Sequence, residues 1–147
     1  MFRQLSDRVW ASPQIGVAEV GVAAAQGIGL IVNNRPEGES DDQTCGSEIA
    51  AAARAAGMAY LAIPVTHAGF SEPQVAAMAA ALGDASTSVL AYCRSGTRST
   101  LLWALAEASQ GGDPAELARQ AAGAGYDVSN IAPLLDMLAA KARGTAK

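Results

Sequence analysis

Short apolar runs alternate with alanine-rich stretches of helical spacing along this chain. Val9-Trp10-Ala11 predicts a strand, and Ser12-Pro13 after it has the residues of a helix N-cap and first turn. The helix they open is expected to reach about Gln26 and stop at Gly27. Leu30-Ile31-Val32-Asn33 is apolar without alternation, the pattern of a strand covered on both faces. Arg35 to Asp42 reads as a polar loop holding Pro36 and Gly38. A second helix is predicted from Cys45 to Ala56, ending at Gly57, and a third strand from Met58 to Val65, closed by Pro64 and the loop Thr66 to Phe70. Ser71 and Gln74 have capping-box spacing and open a helix to Leu82-Gly83. Ser88 to Tyr92 is the fourth strand, and Cys93 follows at once. Further helices are predicted from Ser99 to Ser109, after the Asp113-Pro114 cap, and from about Asn130 to Ala142. Strand alternating with helix predicts an α/β fold, a central, mostly parallel sheet of four to five strands flanked by helices, with a helical C-terminal third. No repeat, low-complexity tract or linker divides the chain, so residues 1–147 are expected to form one domain.

Composition narrows the partners. Of the 147 residues 34 are alanine, which suits helices with close neighbours and leaves larger apolar side chains for one modest core. The net charge is −4 and both lysines lie in the last seven residues, so the clustered cations of a nucleic-acid footprint are missing. Met1 to Arg8 has charge without an apolar stretch behind it, unlike a secretory signal. The longest uncharged run, Ala55 to Ser71, is broken by Gly57, Pro64, Thr66, His67 and Gly69, too polar for a membrane span. Two cysteines 48 positions apart, with a single histidine, make neither a disulfide framework nor a zinc site. Gly27-Ile28-Gly29 precedes a strand instead of following one and is no dinucleotide fingerprint. These features predict a cytoplasmic chain without metal or cofactor, its cysteines kept as thiols.

One heptapeptide carries chemistry: Cys93-Arg94-Ser95-Gly96-Thr97-Arg98-Ser99, between a buried strand and a helix N-terminus. A parallel α/β sheet places its ligands there. A tight loop turns backbone N–H groups inward, and the helix adds its positive end. A thiolate at the loop's base gains from both, the setting in which cysteines become nucleophiles near neutral pH. Gly96 permits the backbone angles of a cradle. Arg98 supplies a planar, permanent charge to an anion above the sulfur. Ser99 is expected to cap the helix and hydrogen-bond the thiolate, while Arg94, Ser95 and Thr97 complete the anion-binding loop.

The run Cys93 to Arg98, Cys-Arg-Ser-Gly-Thr-Arg, resembles the active-site loop of rhodanese sulfurtransferases, in which the cysteine takes up a sulfane sulfur. Val9-Trp10-Ala11-Ser12-Pro13-Gln14, Ile31-Val32-Asn33-Asn34-Arg35 and Tyr60-Leu61-Ala62-Ile63-Pro64-Val65 resemble a bacterial family of small domains on the dual-specificity phosphatase scaffold. Members of that family occur alone or fused to beta-lactamase-like persulfide dioxygenases, and the similarity runs from about Leu5 to Leu138. The resemblance implies cysteine chemistry of one of two kinds, and two features rank them. Phosphatases of this type carry five residues between Cys and Arg, whereas four separate Cys93 from Arg98. They also need an upstream Asp as general acid, and Thr66 to Glu72 contains none. Both features put sulfur transfer first: from thiosulfate or a small persulfide, through a Cys93 persulfide, to a thiol acceptor, with a persulfide dioxygenase-like hydrolase as the partner the resemblance implies. The alternative is a cysteine-dependent phosphatase acting on a phosphate ester through a Cys93 phosphocysteine. A third class is a module that binds an anion or a phosphoprotein without turnover.

Three residues are accessory candidates. Cys45, near a helix start, could resolve a Cys93 persulfide or be an inert helix residue. His67 lies on the loop after the third strand, as a substrate contact, a weak acid or a surface imidazole. Arg35 either adds positive field to the pocket or pairs with Glu37 or Glu39 on a solvated loop. Asp41 and Asp42 are assigned no role. Trp10, Leu101, Leu102, Trp103 and Leu105 are expected in the core.

Overall fold

The computed structural model describes residues 2–66 and 68–144. Its elements are β1 (Arg3–Gln4), β2 (Val9–Ser12), α1 (Val17–Ala25), β3 (Ile28–Asn33), α2 (Gly46–Ala55), β4 (Ala59–Ala62), α3 (Glu72–Asp84), β5 (Ser88–Tyr92), α4 (Thr97–Ser109), α5 (Pro114–Gly123) and α6 (Ala132–Ala142), with a 3₁₀ turn at Ser129–Ile131 before the last. The sheet order is β1-β2-β5-β3-β4. β2, β5, β3 and β4 are parallel, and β1 closes the edge antiparallel to β2 through Arg3 opposite Ala11 and Gln4 opposite Trp10. The α/β reading, with a mostly parallel sheet and a helical final third, is therefore correct.

Alternation along the strands sends side chains into two cores. Ile31, Leu90 and Tyr92 join Ile15, Val20, Ala23, Ile49 and Ala53 beneath α1 and α2. Val32, Val89 and Ala91 face α3, α4 and the C-terminal helices, with Val65, Met78, Leu117 and Leu135. Covering both faces explains why these strands read as unbroken apolar runs. Leu102, Trp103, Ala104, Leu105 and Ala106 of α4 are wholly buried, so this helix is the axis of the second layer. No helix among the described residues is long and apolar enough to cross a membrane.

Several boundaries move. The first helix begins at Val17, not at Ser12-Pro13: β2 continues through Ser12, which pairs with Tyr92, and the Ser12 hydroxyl donates to the Pro13 carbonyl at 2.8 Å instead of capping. Gly16 is the cap, its N–H donating to Glu19 Oε1 at 2.6 Å. β3 starts two residues before the apolar run, at a register shift between Ile28 and Leu30, and Gly29 sits where a Cβ would overlap Thr87. The third predicted strand shortens to Ala59–Ala62, because Pro64 has no N–H, although Ile63 and Val65 still donate to the Asn33 and Asn34 carbonyls at 2.9 Å each. Cys45 is the N-cap of α2 and not part of it. The capping box is as predicted: Ser71 N–H donates to Gln74 Oε1 at 2.8 Å and Gln74 N–H to Ser71 Oγ at 3.4 Å.

Candidate active site

The carboxyl ends of four parallel strands meet at one edge of the sheet, and each sends a segment toward the same point. Gln14 follows β2, Arg35 to Gln43 follows β3, Val65 follows β4, and Cys93 follows β5. Cys93 is fully buried, and its N–H donates to the Ser12 carbonyl at 3.3 Å, extending the β2–β5 ladder by one step. The chain then turns through Arg94, Ser95 and Gly96 into α4. Gly96 is the N-cap, at φ +94°, a region that a side chain strains. Its N–H donates to Cys93 Sγ at 3.1 Å. The helix thus begins at Thr97, two residues before the predicted start, and its N-terminus faces the sulfur.

Ser99 is corrected in role. It lies within the first turn, fully buried, and its hydroxyl donates to Asn34 Oδ1 at 2.7 Å. Asn34 is oriented by its own Nδ2, which donates to the Ile63 carbonyl at 2.9 Å. The one proton of Ser99 is thus spent on tying α4 to β3 and β4 and is not given to the thiolate. No side chain caps this helix, and the neighbouring hydroxyls bond locally: Thr100 donates to the Gly96 carbonyl at 2.8 Å, and Ser95 to Thr97 Oγ1 at 3.0 Å. Arg94 is exposed and contributes its carbonyl, which accepts from Gln14 N–H at 3.2 Å.

Arg98 does not stand free. Its Nη1 donates to Glu39 Oε2 and to the Val65 carbonyl, each at 2.7 Å, and Nη2 to Glu39 Oε1 at 2.8 Å. Three of the five guanidinium protons are so used, leaving Nε–H and one Nη2–H for an anion. Glu39 holds the Arg98 pKa above its ordinary value, and the nearby Cys93 sulfur adds to that. Glu39 accepts from a second cation, Arg35 Nε, at 3.0 Å. Arg35 is not on a solvated loop: only 4% exposed, it also donates to Gln14 Oε1 at 3.0 Å and Ser40 Oγ at 3.1 Å. Hydrogen bonds from Arg98 first, and from Arg35 against the cost of burial, pull the Glu39 carboxyl down to about 2. Between two arginines Glu39 is an anion at any working pH.

Nothing in the order of residues pointed to Glu39 as Arg98's partner. The Arg35–Glu39 spacing suggested a surface pair, and the link to α4 exists only in three dimensions. Tyr126 was missed as well: its hydroxyl donates to the Ser95 carbonyl at 3.0 Å, from a turn after α5. Of the accessory candidates, Arg35 is brought into the site through Glu39. Cys45 is exposed at the start of α2, its side chain making no capping hydrogen bond. His67 lies outside the described residues.

A buried cysteine at the end of a central strand, with an amide on its sulfur, a helix N-terminus before it and an oriented arginine one turn on, belongs to a phosphatase-like α/β domain. The comparisons make the class a family. Residues 1–110 match the model of the phosphatase-like domain of beta-lactamase hydrolase-like proteins, and the chain belongs to that family. A beta-lactamase hydrolase-like protein of Xylella fastidiosa is 36% identical over 107 residues, covering 73% of this chain but 25% of that protein. The chain therefore spans about a quarter of the length of such relatives. A crystal structure from Neisseria meningitidis, described as a candidate phosphatase, superposes with a TM-score of 0.81 at 33% identity, covering 92% of this chain and 96% of the other. A second candidate phosphatase, from Shewanella putrefaciens, shares the fold at 20% identity and a TM-score of 0.71, covering 98% and 89% of the two chains.

Proposed function

We propose that the chain is a cysteine-dependent phosphatase acting on phosphate monoesters whose leaving group is a weak base, such as an aryl oxide. The observation that carries this reading is the Gly96 amide on Cys93 Sγ together with an Arg98 fork aligned by Glu39, in a chain of the phosphatase-like family. The Cys93 thiolate attacks phosphorus, the bond to the ester oxygen breaks, and the oxide leaves with its electron pair. Loop amides and the two Arg98 N–H groups not given to Glu39 or Val65 stabilise the charge on the phosphoryl oxygens. Water then cleaves the phosphocysteine, releasing inorganic phosphate and the thiolate. Cys93 and Arg98 are the catalytic residues in this reading. Arg94, Ser95, Gly96 and Thr97 form the cradle, while Glu39 and Arg35 position Arg98.

The restriction to good leaving groups follows from the carboxylates at the site. Glu39 is held ionised, and the exposed Asp42 is also pulled below its ordinary range by the Ser40 hydroxyl. Neither holds a proton near neutral pH to give to an alkoxide, and His67, a further candidate acid, lies outside the described residues.

A second reading, sulfur transfer through a Cys93 persulfide to a thiol acceptor, is favoured by two observations. Only four residues separate Cys93 from Arg98, and sulfite or a thiolate leaves without an acid. Family membership weighs the other way and reverses the order that loop length alone suggests. Intact-mass spectrometry after rapid quenching distinguishes them. A phosphoryl adduct from p-nitrophenyl phosphate, absent in Cys93→Ser, supports the phosphatase. A single added sulfur from thiosulfate, with no phosphoryl adduct, supports sulfur transfer. Neither adduct leaves an anion-binding module.

A further inference from the structure

The C-terminal third reaches the active-site loop at one point. Tyr126 follows α5 in a turn closed by Gly125 at φ +92° and by the Tyr126 N–H donating to the Ala121 carbonyl at 2.9 Å. Its hydroxyl donates to the Ser95 carbonyl at 3.0 Å, and its ring end lies against Gly96, where a Cβ would overlap the hydroxyl and stand 2.7 Å from Cζ. The ring is also contacted from the sheet edge. The Arg3 guanidinium of β1 lies 5.7 Å from the ring centroid and donates from Nη1 to the Ala124 carbonyl at 3.0 Å.

The contact with Ser95 falls on a particular peptide. In a trans peptide the carbonyl and the following N–H point to opposite sides, and no described peptide is cis. The Ser95 carbonyl, held outward by Tyr126, and the Gly96 N–H, directed at Cys93 Sγ, are the two ends of one peptide plane. With φ free to change at glycine, that plane could turn over and bring a carbonyl oxygen to the place an anion must occupy. We propose that Tyr126 is a positioning residue that locks the Ser95–Gly96 peptide with its N–H toward the sulfur. Deepening the reading of Cys93 as the nucleophile, on which it rests, this makes the helical final third, which lies past residues 1–110 of the family match, part of the active site. Burial raises the Tyr126 pKa, and the charge at Cys93 raises it further against the lowering by Arg3, in keeping with a protonated donor within electrostatic reach of the thiolate. Arg98 carries a charge that interacts with that sulfur, and Glu39 is bound to Arg98.

The test follows Cys93 ionisation by the ultraviolet absorbance of the thiolate against pH, in a Cys45→Ser background, with the Cys93→Ser difference as baseline. No substrate is needed, so the readout is independent of which group the site transfers. Tyr126→Phe keeps the ring against Gly96 and deletes the donor. It should move the Cys93 titration to higher pH by about half a unit, a fraction of the ~1–2 units that a whole hydrogen bond to a charged group is worth, because the Gly96 N–H is loosened and not removed, and lower kcat with p-nitrophenyl phosphate roughly fivefold at little change in KM. Arg3→Met, which loosens the ring without touching the loop, should shift the titration in the same direction by less, and serves if Tyr126→Phe folds poorly. Superimposable titrations for both variants overturn the proposal while leaving the nucleophile in place. A wild-type Cys93 that ionises no earlier than Cys45 overturns the reading of the site and the proposal together.

Discussion

Glu39 and Arg98 stand 59 positions apart and meet through a two-point ion pair, with N–H···O distances of 2.7 and 2.8 Å. Such a fork fixes the guanidinium plane as well as its position. The loop after β3 is thereby a working part of the loop after β5, and the arginine that would bind substrate is set before substrate arrives. The Val65 carbonyl adds a third hold from the end of β4. Three strand ends therefore orient one side chain, at the carboxyl edge of a parallel sheet where ligands of such folds commonly bind.

Glu39→Gln keeps an acceptor oxygen but removes the charge between Arg98 and the buried Arg35. We expect kcat/KM on an aryl phosphate to fall roughly 10- to 100-fold, the effect of a misaligned binding group, with a stability loss of about 1–3 kcal/mol in urea. The acid limb supplies an independent check. Because the folded carboxyl lies at about 2 against an ordinary 4.5, its contribution is fully present above 4.5 and is lost as pH falls toward 2. The wild-type Tm should therefore drop faster than that of Glu39→Gln over this interval. Parallel Tm curves would show that the pair adds nothing to folding.

Gly96→Ala combines a left-handed backbone with a collision, since the new methyl meets Tyr126. Gly57, at φ +79° with nothing near its absent Cβ, isolates the first effect. Gly57→Ala should cost about 1–2 kcal/mol and leave turnover intact. Gly96→Ala should cost more and abolish turnover; equal stability losses with activity retained would mean that the loop tolerates a different backbone path.

Ser99→Ala separates a structural serine from a thiolate donor. Its hydroxyl serves Asn34, which the variant leaves as a buried acceptor without its partner. A destabilisation of about 1–3 kcal/mol is expected, with the Cys93 titration unmoved. A titration displaced upward, at unchanged stability, would restore Ser99 to the sulfur.

How much of this was legible depended on whether the determining contacts are local. The apolar runs at β3 and β5, the Ser71–Gln74 box and the Asp113 cap were readable because neighbours in sequence make them. The candidate cysteine loop was readable because it is contiguous, from Cys93 to Arg98. β1 was not: two exposed residues have no periodicity, and Arg3–Gln4 is a strand only by pairing with Trp10 and Ala11. Ser12-Pro13 imitates a helix start, but the ladder to Tyr92 outweighs the capping preference. Glu39 and Tyr126 escaped for the same reason as each other. Their partners Arg98 and Ser95 lie 59 and 31 residues away, and one acidic loop residue or one tyrosine after a glycine looks the same with or without such a partner.

The leaving group should govern turnover more steeply here than in an enzyme with a general acid. At a site where one exists, the acid contributes typically 10²–10⁴-fold with a basic leaving group. Among the described residues, Glu39 is an anion between two arginines and Asp42 is an exposed acceptor of the Ser40 hydroxyl, so neither carries a proton to donate. An aryl oxide departs unaided, whereas the alkoxide of phosphoserine does not. Across a series of phosphate monoesters from nitrophenyl through phenyl to alkyl, log kcat should fall steeply with rising leaving-group pKa, and phosphoserine hydrolysis should match the Cys93→Ser background. A flat dependence, with phosphoserine turned over as fast as the nitrophenyl ester, would require a proton donor at the site and would end the restriction to aryl substrates.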